Sequence, residues 1–72
     1  MIIILESTSE IVEVNNVPAR IWEGETDSGI KVYALITRIA VGRSEDTEQF
    51  DKELLEQKAP SVIDVFPLRM II

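Results

Sequence analysis

Two residue types that carry much biological acid–base and nucleophilic chemistry are missing from this sequence: it has no His and no Cys. Without imidazole the commonest general base, metal ligand and neutral-pH switch is gone. Without a thiol, neither a thiolate metal site nor a Cys nucleophile can be built. What remains is carboxylate, Lys and Arg. Glu23, Glu25 and Asp27 crowd one predicted hairpin. They alternate with Gly24 and Thr26, but no distal Glu closes a calcium loop behind them. No aromatic or Gly-rich frame shapes a pocket there, and 72 residues leave little room for a ligand-sized cleft. These acids are read as a solvated turn. No enzymatic activity, cofactor or metal is expected.

Glu56-Gln57-Lys58 spells the acid–x–lysine tripeptide of one large nuclease class, with Asp51 as an upstream acid. In that class the tripeptide lies on a strand, where its two charged side chains share a face. Here it falls at the end of a predicted helix and is read as a solvated helix end. The helix itself is more informative. Glu45, Asp46, Glu48, Asp51, Glu53 and Glu56 meet only Lys52 and Lys58, which leaves four net negative charges. One account is a solvated face with Glu48–Lys52 support at i,i+4. The other is an acidic strip that imitates nucleic-acid phosphates and docks on a basic groove. The partner-binding candidates are therefore Glu45, Glu48, Asp51 and Glu56 on the helix, with Glu25 and Asp27 on the hairpin.

A third group is aromatic and cationic. Trp22 and Tyr33 are expected to flank one another across the hairpin, with Arg20 on the face of Trp22 and Arg38 on an otherwise apolar strand. Trp, Tyr and Arg are the usual anchors of protein interfaces, and an Arg among apolar residues needs a carboxylate or an aromatic partner. The group divides evenly between a dimer interface and support of the fold. A small ligand such as a nucleotide, held at a dimer interface by Arg20, Trp22 and Arg38, is a further reading.

The elements that must position these residues follow from pattern. Residues 30–41 are rich in Val, Ile, Tyr and Thr and apolar on both faces, as in a covered central strand. Residues 1–5 form a short apolar strand, residues 6–9 a loop, and residues 10–14 a second strand near an edge. Asn15 and Asn16 mark a turn. Residues 19–24 alternate, with Ala19 and Ile21 on one face and Arg20 and Trp22 on the other. Gly29 closes a hairpin loop of residues 25–29. Ser44 is the expected N-cap of a helix over residues 45–57, whose apolar side carries Phe50, Leu54 and Leu55. Ala59-Pro60 stops it. Residues 65–72 read as a last strand, at an edge because Pro67 cannot donate to a ladder.

The expected fold is thus α+β, one domain over residues 1–72: a four- or five-stranded, mostly antiparallel sheet with one amphipathic helix, in the order β-β-β-β-α-β. One helix covers one sheet face only. A chain this size buries about 60% of its unfolded surface, and small cores gain from association. A homodimer is expected. A net charge of −6 disfavours nucleic acid and anionic membrane and favours basic partners. The apolar start is too short for a membrane span and lacks the flanks of a signal peptide, so a cytoplasmic setting is expected.

Several stretches together carry a resemblance. They are Val17-Pro18-Ala19-Arg20-Ile21-Trp22-Glu23-Gly24, Gly29-Ile30, Leu35-Ile36-Thr37-Arg38-Ile39-Ala40-Val41, Phe50, Glu53-Leu54, Ala59-Pro60-Ser61 and Pro67-Leu68-Arg69. Over nearly its whole length the chain resembles a family of short proteins encoded in bacteriophages and prophages. The family has no established activity and carries over no catalytic residue. It implies an accessory phage gene acting in the host cell. Small acidic phage proteins are often inhibitors of host proteins, including defence nucleases. A structural component that acts by self-association is the alternative.

Overall fold

The computed structural model describes residues 1–60. It shows a small α+β fold: β1 (Ile3–Val14), β2 (Val17–Thr26), β3 (Lys31–Ile36) and α1 (Thr47–Leu54). The strands form an antiparallel meander in the order β1-β2-β3. The strand expected over residues 65–72 lies outside the described residues.

Both hairpins follow from local turn chemistry. Asn15 and Asn16 stand at φ 51° and 65° between the paired residues Val14 and Val17. That is the two-residue hairpin that suits strand twist, and Asn is among the few residues that tolerate left-handed backbone. At the other end Gly29 takes φ 90°. Thr26 N–H donates to Ile30 O at 3.0 Å, and Gly29 N–H to Thr26 O at 3.0 Å.

The centre of the sheet is β2, not the stretch at residues 30–41. Only Lys31–Ile36 of that stretch forms a strand, and among the described residues it pairs with β2 alone. The Thr26–Ile30 bond makes the even positions of β2 the hydrogen-bonded ones toward β3. Gly24, Trp22 and Arg20 oppose Val32, Ala34 and Ile36 in turn. The next even position is Pro18, which has no N–H to donate, so the ladder stops there.

Residues 1–5 and 10–14 are not two strands joined by a loop. They belong to the single strand β1, which carries a bulge. Thr8, Ser9 and Glu10 stand against Ile21 alone, between the pairs Ser7↔Trp22 and Ile11↔Arg20. Of the polar run 6–9 that suggests a loop, Glu6 and Ser7 are paired in the ladder and Thr8 and Ser9 enter the bulge. The apolar start is also not buried: Met1, Ile2, Ile3 and Ile4 are exposed.

Alternation divides β2 as its pattern predicts. Ala19 and Ile21 are buried at 1% and 2% exposure, and Glu23 is buried beside them in the sequence of that face. Burying an Ile side chain contributes about 1.5–3 kcal/mol. Arg20 and Trp22 occupy the opposite face and are half-buried. Gly24 is required by a close approach. A Cβ there would sit 1.7 Å from Ile4 O and 2.9 Å from Leu5 Cα.

The helix is shorter than expected and differently capped. Asp46, not Ser44, is the N-cap, and its Oδ1 accepts from Gln49 N–H at 3.0 Å. Past Leu54 the amides turn back to carbonyls three residues earlier, Leu55 N–H to Lys52 O at 3.2 Å and Glu56 N–H to Glu53 O at 3.0 Å, and the chain then joins β1. Ser7 Oγ donates to Glu56 O at 3.0 Å, Lys58 N–H to Ser7 O at 3.1 Å, and Ser9 N–H to Lys58 O at 3.2 Å. Lys58 thereby forms a parallel bridge to Thr8 in the bulge.

Candidate functional site

The helix and the Trp22 face of the sheet enclose an open groove of about 240 Å³. Trp22 and Ile36 form its floor from β2 and β3, and Phe50 and Leu54 close it from α1. Arg20 and Arg38 line it as well. Arg38 comes from the segment after β3, beyond the point where Pro18 stops the ladder. Had the ladder run on to residue 41, as the pattern of residues 30–41 suggests, Arg38 would be held in the sheet. Arg20 Nη1 donates to Thr8 O at 2.8 Å, which fixes the guanidinium against the bulge. Arg38 is exposed.

Of the four residues expected at an interface, the structure brings together Arg20, Trp22 and Arg38 but not Tyr33. Tyr33 opposes Glu23, and Trp22 opposes Ala34, so the two aromatics lie on opposite faces. The even-sum register forbids any other outcome. A strand alternates with period two, and an even position of β2 meets only even positions of β3.

The acidic candidates fall in two places. Glu48 and Asp51 lie on α1, Glu45 precedes it and Glu56 follows it, and all four are exposed. None of their side chains forms an ion pair or hydrogen bond among the described residues, and the expected Glu48–Lys52 pair is not made. Glu25 and Asp27 lie at the far hairpin. Glu25 is engaged by Lys31, with which it forms a close ion pair. The hydrogen bond that Lys31 donates to Glu25, and the charge of that carboxylate, hold the Lys31 ammonium above the usual Lys range. Asp27 is exposed, and its N–H donates to Ile2 O at 3.1 Å.

Glu56-Gln57-Lys58 is not a helix end. The segment is past the helix, and Lys58 Nζ lies 3.2 Å from Glu23 Oε1, whose side chain is 9% exposed. This contact was not legible in the sequence, because it joins residues brought together only by the bulge. Among the described residues no cluster of three or more acidic side chains is placed to hold a metal ion, and no helix is long and apolar enough to cross a membrane.

Comparison with protein-family models, curated proteins and solved structures finds no match for this chain. The functional reading therefore rests on the residues themselves.

Proposed function

We propose that this chain is a non-enzymatic accessory protein of phage origin that binds a basic surface on a host protein, in the host cytoplasm, and blocks or modulates it. The observation that supports this reading is the state of the helix acids. Glu45, Glu48, Asp51 and Glu56 are exposed, and none is neutralised by an ion pair among the described residues. On α1 itself Glu48 and Asp51 stand three positions apart and repel one another, so beyond the favourable place of Glu48 in the first turn the strip adds nothing evident to the fold. Glu25 is already paired with Lys31, so the helix carries the reading better than the hairpin does. Charge of one sign on an exposed face steers oppositely charged partners.

The test is capture from a bacterial host lysate by the full chain and by a variant with Glu45→Gln, Glu48→Gln, Asp51→Asn and Glu56→Gln. A specific host protein held by the native chain, released by salt and retained at least about tenfold less by the variant is the expected result. Equal retention by both chains removes the proposal.

A second reading is self-association, with the homodimer as its simplest form and a phage assembly as its extended one. It draws on the exposed Met1, Ile2, Ile3 and Ile4 at the start of β1, since apolar strand ends invite pairing. The further strands expected for the sheet belong to the same proposal. Light scattering separates the forms: a discrete dimer opposes open-ended assembly, and a monomer removes both.

A further inference from the structure

Charge is distributed unevenly around the groove under α1. The chain has 13 acids against 7 Lys and Arg, yet among the described residues no carboxylate lines the pocket that holds Arg20 and Arg38. The acids begin on the far side of Trp22, where Glu6, Glu53 and Glu56 line the adjoining depression. A pocket lined by two arginines and, among the described residues, by no acid, in a chain of net charge −6, is locally complementary to an anion. Neither Arg is used up. Arg38 makes no hydrogen bond or ion pair among the described residues. Arg20 gives one N–H to Thr8 O, and a guanidinium has five donors. That single bond holds the fork in place, which lowers the ordering cost of a second one.

Apart from Thr37, the rest of the described lining is apolar and aromatic. Trp22, half-buried on the sheet, and Phe50 on α1 both line it. The volume, about 240 Å³, lies below the usual range of roughly 300–1,000 Å³ for ligand pockets and suits a single ring system rather than a peptide. We infer that this groove binds a small aromatic anion, its ring against Trp22 and Phe50 and its phosphate or carboxylate between Arg20 and Arg38. Guanidinium forks match both anions bidentately. The site is formed by residues of one chain.

Trp22 is the only Trp and lines both this groove and the adjoining acidic depression, so its emission reports on ligand at this face, and the Arg38 variant assigns the signal to the groove. The probe is phenyl phosphate, compared on the full native chain with inorganic phosphate and with benzyl alcohol, each of which supplies half of the chemistry. Phenyl phosphate is expected to change the emission saturably, with at least about tenfold tighter apparent binding than either fragment. Arg38→Gln, at a side chain with no partner among the described residues to lose, should weaken phenyl phosphate about tenfold or more while leaving the far-UV circular dichroism unchanged. A non-saturating response, equal binding of benzyl alcohol, or undiminished binding by the variant overturns the proposal.

Discussion

The Thr8 hydroxyl donates to the Ile21 carbonyl at 2.7 Å, and this contact reconciles a bulged edge strand with a regular central one. Ile21 is the residue that three β1 residues oppose, so the ordinary ladder cannot supply its carbonyl. Thr8 is fully buried at 0% exposure. Its hydroxyl also accepts from Glu10 N–H at 3.3 Å, and its carbonyl accepts from Arg20.

Thr8→Val keeps the shape of the side chain and removes the donor. The Ile21 carbonyl is then left buried without that partner, at a cost of about 1–3 kcal/mol. Urea unfolding followed by Trp22 emission should show a lower midpoint with an unchanged slope. Thr8→Ser, which keeps the hydroxyl, should lose less. If Val is as stable as the native residue, the hydroxyl does not support the bulge.

Gly24→Ala places a methyl group 1.7 Å from the Ile4 carbonyl oxygen. The obstacle is backbone, so no side-chain rotation relieves it, and β1 must move away from β2. A loss of about 3 kcal/mol or more is expected, a large part of the stability of a small domain. Gly29→Ala is the useful contrast. A Cβ there meets nothing within 4 Å, and the cost comes from φ 90° alone. Thermal unfolding of both variants should rank Gly24→Ala as the more damaging.

Asp46→Ala removes the N-cap of α1, whereas Ser44→Ala touches no cap. The first should cost about 0.5–2 kcal/mol of helix stability, and the second should lie within about 0.5 kcal/mol of the native chain. An eight-residue helix is marginal by itself in water, and none of its residues is buried. The loss should therefore appear as reduced helical circular dichroism before global unfolding. Equal effects from the two substitutions contradict the assigned cap.

Several features were legible in the residues themselves because the forces behind them act over a few positions. Asn15-Asn16 and Gly29 announce turns through the backbone angles they tolerate. The alternation from Ala19 to Trp22 assigns two faces. The acids and Phe50 of the helix segment mark a cap-rich amphipathic turn, although the cap fell two residues later than Ser44. The amino-acid inventory, without His or Cys, bounds the chemistry in the same direct way.

Tertiary structure decided what depends on pairing across the chain. Ser7, Thr8 and Ser9 look like a loop until Ile21 and Lys58 are placed beside them. Tyr33 looks like a partner for Trp22 until the hairpin sets an even register and sends it to the other face. The stretch from residue 30 looks central because of its composition, but its ladder ends where Pro18 has no N–H to give. Arg20, Trp22 and Arg38 share a groove with Phe50 only because of these long-range choices. Local preference is written in neighbouring residues, whereas register and edge position are settled by which distant backbone groups remain able to bond.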